Sequence, residues 1–493
     1  MKSQIGHTKC AAGVVGLIKI ARAVYHRVLP PTLHVEHPHP DWDRATSPFR
    51  FLTSSQPWVG ATRRAAVSAF GFGGANFHAV ISSVPDSPSA EHGVAVWPAE
   101  LVLVRGETSA EARSHAAALA TMARRVAAED PEGVRHRLRD LAFTVSVGGG
   151  AAASTSPVQM AVVAHDWGDL ATKLEAAVDG EERGDHVHRS SGDETLGRVA
   201  FVYPGQGSQR PGMLGDLFVA FPWLGEVLEA GQPWLSIMFP PSPRGTDEKA
   251  AQLKEITATD NAQPTLGLAE AALGRLWARL GLTPHAAAGH SYGELPALAG
   301  AGCFDLSTLL TLSRGRAEAM SQAAKANGAD PGAMAAVSLA AADVEERLNA
   351  EAGVVVANEN GPRQSVISGP TEAVRAACEE LQRQGVGVRA LGVACAFHSP
   401  MMSAATDPML AHLHQAAISP PRVTVVSCAS GKPYPADVDS LKALLAAGIA
   451  APVRWVDQVE SLYQLGVRTF VEVGPGRVLT SLIGSILKGR PHT

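Results

Sequence analysis

Residues 285–300, HAAAGHSYGELPALAG, contain the pentapeptide Gly289-His290-Ser291-Tyr292-Gly293. Small apolar residues precede this pentapeptide, and an apolar, helix-forming stretch follows it. The order predicts a strand, a sharp turn and a helix, with Ser291 on the turn. Such an elbow exposes a nucleophilic hydroxyl beside backbone N–H groups at a helix N-terminus. The stretch therefore predicts an α/β protein whose serine passes an acyl group either to water or to another thiol or alcohol.

The segments around this elbow alternate between strands and helices. RVAFVYPGQGSQ, residues 198–209, predicts a buried strand and a glycine-rich turn, and TFVEVGPG, residues 469–476, predicts a last strand. This alternation indicates a parallel α/β core. Residues 333–394 differ, since their pattern predicts strand, helix, strand, strand, helix, strand. That order is typical of a ferredoxin-like unit, which we expect to be inserted into the larger one.

The first 197 residues predict two further regions. A helix that stops at Pro30-Pro31 and two strands joined by the turn GFGG come first, and a Ser/Pro-rich stretch follows Ile81. A small α/β unit comes next and ends in a polar stretch, residues 181–197. We therefore expect domains at 1–84, 85–197 and 198–490, with 328–395 as the insertion.

Bulk composition excludes several classes of protein. The chain has 493 residues, 46% of them hydrophobic and 18% charged, which is typical of a globular protein of two to four domains. A net charge of −5 gives no reason to expect a nucleic-acid or membrane partner. Five scattered cysteines indicate reduced thiols in the cytoplasm. No apolar run reaches the ~18 residues that a membrane span needs.

A nucleophilic serine needs a base and an oxyanion hole. Among eighteen histidines, His398 in VACAFHSPMM is our candidate base, because it follows the last strand of the inserted unit. The backbone amides of Tyr292, at a helix start, and Gln206, between two glycines, are candidate oxyanion donors. The turn PGQGSQ is equally well explained as a tight strand–helix connection without a catalytic role.

Arg316, in SRGRAEAM on the helix after the elbow, separates a transferase from a hydrolase. An arginine there is by default a surface charge. If it is buried it must face a carboxylate, because a guanidinium does not deprotonate. Its planar fork fits a free carboxylate with two hydrogen bonds, which suggests a donor with a second acid group such as malonate.

Two other patterns are set aside. HVEHPHP, with His34, His37 and His39, resembles a metal cluster but is broken by proline and has no distal partner pair. FGFGGANF is glycine-rich, yet no βαβ unit with an acidic residue ~20 positions on follows it. We therefore expect no bound metal and no dinucleotide.

Six motifs in order identify a family: YPGQGSQ, GHSYGE, RGRAEAM, AFHSPMM, PVRW and EVGPGRVLTSL. Together they resemble the malonyl-CoA:acyl-carrier-protein acyltransferases over about residues 198–490. The resemblance implies an α/β-hydrolase-like large subdomain with an inserted ferredoxin-like small one. The roles it implies are the following: Ser291 as nucleophile, His398 as base, Gln206 and Tyr292 as oxyanion amides, Arg316 and Gln263 as substrate-binding residues, and the carbonyl of Gly448, where the family usually has Asn or Gln, as the group that orients the histidine.

The first segment resembles the C-terminal end of a ketosynthase. KSQIGHTKCAAG matches its histidine motif at His7, and SAFGFGGANFHAVI matches its closing strands. The nucleophilic cysteine motif is absent, so we expect no condensation activity from this segment. Residues 85–197 then correspond to the linker between ketosynthase and acyltransferase. The whole chain resembles a piece of a type I polyketide synthase, most similar to iterative enediyne-type enzymes.

The resemblance also bears on substrate and partners. Cys395-Ala396-Phe397-His398 is closer to the His-Ala-Phe of malonyl-selective domains than to the Tyr-Ala-Ser of methylmalonyl-selective ones, and Phe397 fills the space of an α-methyl group. We expect malonyl transfer from malonyl-CoA to the phosphopantetheine thiol of an acyl carrier protein, with the rest of the megasynthase in cis and no bound cofactor. The alternatives are an editing acyl-thioester hydrolase, which predicts loss of the carboxylate-binding arginine, and a non-catalytic docking module, which predicts a broken Ser/His pair.

Overall fold

The chain forms two units in a computed structural model. The structure describes all residues except 36, 44–45, 85–92, 95–96, 148–155, 181–185, 190–196, 244, 327, 329, 349–352 and 394. Met1–Gly93 and Leu196–Thr493 form one unit, and Val94–Thr195 forms the other. The first segment, expected at 1–84 as the C-terminal fragment of a ketosynthase, packs in the same unit as the C-terminal region. The boundary stretches 82–93 and 181–197 fall largely outside the described residues.

The first segment, over its described residues, contributes two helices and two two-stranded β-ribbons to the larger unit. Gln56 donates a side-chain hydrogen bond to the carbonyl of Pro240 at 3.0 Å, and the amide of Gly93 donates to Ala220 at 2.7 Å. The long helix ends at His26, before the two prolines, as predicted. Its elements are α1 Lys2–Ile5, α2 Ala12–His26, β1 Val28–Leu29, β2 Gln56–Pro57, β3 Arg64–Phe70 and β4 Asn76–Ser82.

The smaller unit is a three-stranded antiparallel sheet covered by helices. Its strand order is β5-β6-β7, and side chains of Thr108 and Asp166 cap its two longest helices. The sequence predicted two strands and two helices here; the third strand and the middle helix are additions. The elements are β5 Glu100–Arg105, α3 Ser109–Glu129, α4 Leu138–Val147, β6 Val158–Ala164, α5 Trp167–Asp179 and β7 Val187–Arg189.

The C-terminal region of the larger unit has a parallel four-stranded sheet in the order β14-β9-β8-β15. The central strands are short and buried on both faces, as expected for a parallel sheet under helices. Its strands are β8 Arg198–Tyr203, β9 Ala286–Gly289, β14 Thr424–Val426 and β15 Val467–Glu472. Its helices are α6 Gly215–Ala220, α7 Gly225–Ala230, α8 Leu235–Met238, α9 Gly245–Thr257, α10 Thr259–Arg279, α11 Glu294–Gly300, α12 Leu306–Ala326, α15 Thr406–Gln415, α16 Val438–Ala447, α17 Trp455–Gln464 and α18 Val478–Ile486.

A small antiparallel subdomain is inserted between α12 and α15. Its strand order, β11-β12-β10-β13, together with its strand-helix-strand-strand-helix-strand sequence, is the ferredoxin-like arrangement that the sequence predicted. Its elements are β10 Ala333–Val337, α13 Ala341–Glu345, β11 Val355–Gly361, β12 Gln364–Gly369, α14 Thr371–Arg383 and β13 Val388–Ala390. The predicted fold class, an α/β large subdomain with this insertion, is confirmed.

Candidate active site

Ser291 lies on a tight elbow between β9 and α11. Its backbone has φ 54°, a left-handed conformation that is uncommon for a residue with a side chain. Two glycines make the turn possible: a Cβ on Gly289 would lie 2.0 Å from the carbonyl carbon of Gly293, and a Cβ on Gly293 would lie 2.1 Å from the carbonyl oxygen of Tyr203. The Gly-x-Ser-x-Gly spacing is therefore a steric requirement of this turn.

His398 faces the serine from the segment that leaves the small subdomain. Its Nε2 lies 2.6 Å from Ser291 Oγ. On the other side of the ring, Nδ1 lies 2.9 Å from the carbonyl oxygen of Ala451 and 3.2 Å from that of Gly448. A carbonyl oxygen only accepts, so Nδ1 carries the proton and Nε2 presents its lone pair to the serine hydroxyl. This is the tautomer that a general base needs.

The environment keeps His398 neutral. Burial and, after it, the charge of Arg316 lower the pKa of its imidazole to about 3, against two hydrogen bonds to carbonyls that favour the protonated ring. The imidazole is therefore an unprotonated base throughout the neutral range. His398, like Ser291, has a positive φ of 54°. Such a backbone conformation persists only where surrounding contacts hold it, so the backbones of both residues are fixed by their surroundings.

Arg316 projects from α12 into the same place. Its side chain is buried, with 6% of the residue exposed, and Nη2 lies 3.5 Å from Ser291 Oγ. Among the described residues, no carboxylate oxygen lies within 4.0 Å of its guanidinium. Burial lowers its pKa, and the neighbouring Glu294 raises it. A buried guanidinium without a direct ion pair is costly, and an incoming carboxylate would relieve that cost.

Gln206 lines the same cleft as the nucleophile, and Tyr292 follows Ser291 in the chain. The side chain of Gln206 is drawn away from the serine, because Nε2 is 3.3 Å from the carbonyl oxygen of Thr257 and 3.4 Å from the hydroxyl of Thr259. The phenol of Tyr292 is buried against Ser313 at 2.8 Å. Only the backbone amides of the two residues are left to act near Ser291, and in the described turns and loops neither donates to a carbonyl.

The pair opens into a cleft of about 310 Å³ between the large and small subdomains. Polar groups of Asn358, Asn360 and Gln364 line its small-subdomain side. Phe397, Met320 and Met334 form apolar walls near the serine. A mostly apolar cleft with a few convergent polar groups is the usual form of a small-molecule site.

Gln263 does not reach this cleft. It is fully buried, and its Nε2 lies 3.7 Å from Met320 Sδ, so Met320 separates it from the cavity. Gln263 was predicted to line the site; in the structure it contacts Met320, which lines the cleft. Met320 itself was missed, although it follows Arg316 by four residues and so shares its helix face.

Two further groups escaped the sequence analysis. Ala451 supplies the nearer of the two carbonyls on the base, whereas only Gly448 was expected. Glu294 and Cys428 form a buried pair behind the nucleophile, with the Cys428 amide donating to Oε1 at 2.7 Å. Glu294 belongs to the motif GHSYGE, so the sequence could have indicated its importance. The role of the Ala451 backbone carbonyl leaves no trace in the sequence.

Neither a metal site nor a membrane-spanning helix is found in the part of the chain that the structure describes. Among the described residues, no group of three or more His, Cys, Asp or Glu side chains is arranged to hold a metal ion. In that same part of the chain, no helix combines the length and hydropathy required to cross a membrane.

Comparison with known proteins identifies the family. The model of the acyl transferase domain matches residues 200–489, and that of the β-ketoacyl synthase C-terminal domain matches residues 1–36. Polyketide synthase GfsA from Streptomyces halstedii is 35% identical over 505 residues, an alignment that covers 99% of this chain and 6% of that protein. The chain thus spans a small fraction of such a relative.

Two solved structures are similar to the C-terminal region. Acyl-carrier-protein S-malonyltransferase from Bartonella henselae is 34% identical, with a TM-score of 0.54, and the match covers 60% of this chain and 94% of that one. The acyltransferase domain from the second module of the salinomycin polyketide synthase is 31% identical, with a TM-score of 0.59, covering 73% and 85%. With its serine elbow, neutral histidine and buried arginine in one cleft, the chain belongs to the acyl transferase domain family.

Proposed function

We propose that this chain transfers a malonyl group from malonyl-CoA to the phosphopantetheine thiol of an acyl carrier protein. The observation that carries the proposal is the buried guanidinium of Arg316, 3.5 Å from the nucleophilic oxygen and without a carboxylate partner among the described residues. A donor with a distal carboxylate supplies that partner. The relatives named above include a malonyltransferase that acts on acyl carrier protein and polyketide synthases.

The first half-reaction acylates Ser291. Oγ attacks the thioester carbon of malonyl-CoA while Nε2 of His398 takes the hydroxyl proton. The amides of Gln206 and Tyr292 bind the oxyanion, and Arg316 binds the distal carboxylate. The carbon–sulfur bond then breaks, and the imidazolium returns the proton to the departing CoA thiolate. The product is a malonyl-serine ester.

The second half-reaction regenerates the serine. The carrier's pantetheine thiol enters the cleft, gives its proton to His398 and attacks the ester carbon. The carbon–oxygen bond breaks, and the serine oxygen recovers the proton. The carbonyls of Ala451 and Gly448 keep the ring oriented through both steps. No step requires a metal or a redox cofactor.

Phe397 makes the site selective for malonyl over methylmalonyl donors. Its side chain is 8% exposed and lines both the cleft and a second cavity of about 340 Å³ behind it. The ring occupies space that an α-methyl group of the donor would need, which favours malonyl over methylmalonyl. A single methyl group is worth ~1–3 kcal/mol of discrimination, so the preference has a corresponding limit.

The proposal extends to the setting of the chain. Residues 1–84 are a ketosynthase C-terminal segment, 85–197 a linker and 198–490 the acyltransferase, within a cytoplasmic polyketide synthase of the iterative enediyne type. Support for the enediyne type comes from QIGHTK, FGFGGANFHAV and GHSYG. Faster malonyl transfer to carrier domains of enediyne-type synthases than to other carriers would support that assignment, and equal transfer would count against it.

The decisive experiment is intact-mass measurement within seconds of mixing the protein with malonyl-CoA, methylmalonyl-CoA or acetyl-CoA. We expect a malonyl adduct that is absent in Ser291→Ala, with little labelling by the other two donors. Steady CoA release without an adduct would instead indicate a hydrolase. If neither an adduct nor CoA release is observed, both enzymatic functions are contradicted and the docking module remains.

A further inference from the structure

Behind the nucleophile lies a buried carboxylate that the mechanism above does not use. Glu294 opens α11 three residues after Ser291 and is 3% exposed. It accepts three hydrogen bonds: from the Cys428 amide at 2.7 Å, from the Cys428 thiol at 2.8 Å and from the Tyr434 hydroxyl at 2.6 Å. Burial raises the pKa of the Glu294 carboxyl, and the three donors oppose that shift because they favour its ionised form.

Cys428 binds this carboxylate through both its amide and its thiol, and the thiol donates to Oε2 at 2.8 Å. Cys428 follows β14, whose Val426 pairs with Ala288 of β9, the strand that leads into the elbow. Burial and the adjacent carboxylate raise the pKa of Cys428 well above its ordinary value, so the thiol keeps its proton. The thiol is therefore a donor to the glutamate.

Ser291 needs such support because of its backbone. The positive φ is unfavourable for a residue with a side chain and persists only where surrounding contacts hold it. A Cβ on Gly448 would lie 3.5 Å from Glu294 Oε2, so the carboxylate also lies beside the loop whose carbonyl orients His398. The carboxylate thus belongs to a residue three positions after Ser291 and lies beside the loop that orients His398.

We infer that Glu294 and Cys428 form a hydrogen-bond relay that positions Ser291: the amide and thiol of Cys428 hold the carboxylate, the carboxylate holds the start of α11, and Oγ of Ser291 is thereby kept within reach of His398. Both are positioning residues, since neither touches the substrate. The inference rests on the proposed function for the identity of the donor. It does not depend on that donor being malonyl, because the relay acts on the attacking oxygen.

The test is a single-turnover measurement of Ser291 acylation by rapid quench and intact mass, using the full chain and saturating malonyl-CoA. Cys428→Ala removes the thiol's hydrogen bond to Glu294 from the relay. We expect a ~10- to 100-fold lower acylation rate, whereas the half-saturating donor concentration should stay within twofold of wild type. Cys428→Ser supplies a hydroxyl that also donates, and we expect it to recover the rate to within about threefold. Cys303→Ala, at a buried cysteine outside the cleft, is the matched control and should keep the wild-type rate.

Three results would overturn the relay: an unchanged rate in Cys428→Ala, a Cys428→Ser rate as low as that of alanine, or a change confined to the half-saturating concentration. Should Cys428→Ala lose its fold by circular dichroism, Glu294→Gln carries the same test, with an expected fall of at least ~10-fold and an unchanged rate as the contrary outcome. If wild type takes no malonyl adduct, the proposed function fails. The same variants are then compared with p-nitrophenyl acetate, which acylates the serine whatever the natural donor, and the same order of rates is expected.

Discussion

Replacing Arg316 with alanine should abolish the preference for an acidic donor while sparing neutral ones. The guanidinium lies 3.5 Å from the nucleophilic oxygen and is 6% exposed, so a malonyl carboxylate bound to it is largely removed from water. Truncating one partner of a buried, hydrogen-bonded charge pair costs ~2–5 kcal/mol. With each 1.4 kcal/mol worth about tenfold, we expect malonyl acylation of Ser291 to fall by ~10²–10³ in kcat/KM.

Acetyl-CoA provides the internal comparison. It has no carboxylate to lose, and removing the arginine also removes a positive charge that lowers the pKa of His398. The base becomes stronger, so acetyl acylation should hold or rise. Competing the two donors in one reaction and measuring both adducts by mass gives the selectivity directly.

Arg314→Ala is the control for this substitution. Arg314 stands two residues earlier on the same helix, is exposed and pairs with Glu318 at 3.5 Å. Its loss should leave both donors within twofold of wild type. Equal losses for malonyl and acetyl in Arg316→Ala, or no loss for malonyl, would refute the carboxylate-binding role.

Three further results are expected. In a stopped-flow pH profile, acylation should be independent of pH from 8 to about 5, because His398 has a pKa of about 3 and becomes protonated only as the pH falls through that value. A tenfold drop in the acylation rate by pH 5.5, which an ordinary imidazole with a pKa of 6.5 would give, would contradict this. Phe397→Ala should join the cleft to the cavity of about 340 Å³ and reduce malonyl-over-methylmalonyl discrimination by ~10- to 100-fold in competition labelling; unchanged selectivity would exclude the ring as the determinant. Gly293→Ala should destabilise the fold by ~2–4 kcal/mol in thermal unfolding, since its Cβ would lie 2.1 Å from Tyr203 O. The control Gly274→Ala, on a helix with open space around the new Cβ, should not destabilise the fold. Similar melting temperatures for the two variants would refute the steric argument.

Local sequence patterns predicted the parts of the fold that local chemistry determines. Glycines at 289 and 293 indicated the elbow, because only glycine lets the backbone approach so closely. The prolines at 30 and 31 predicted the end of α2 within a few residues. The order of strands and helices in the insertion predicted its topology, since each element carries its own hydrophobic period.

Groups recruited from distant parts of the chain were harder to predict. The Ala451 carbonyl reaches His398 across 53 residues, and no side chain records that contact. Cys428 lies 134 residues from Glu294 in the chain and looks, in sequence, like any buried cysteine. The position of Gln263 behind Met320 depends on how two helices pack, which spacing along one helix does not determine. Tertiary packing, not local propensity, decides these contacts.

The two carbonyls on His398 have a consequence for when the enzyme reacts. Among the described residues, no carboxylate bonds to the imidazole, so taking the serine proton creates a second cation near the guanidinium of Arg316. In a buried cleft that repulsion is strong, and a distal carboxylate on the donor neutralises it. An acidic donor therefore completes the charge balance that proton transfer requires. On the proposed function, proton transfer is slower without that carboxylate, which favours acidic donors over neutral thioesters.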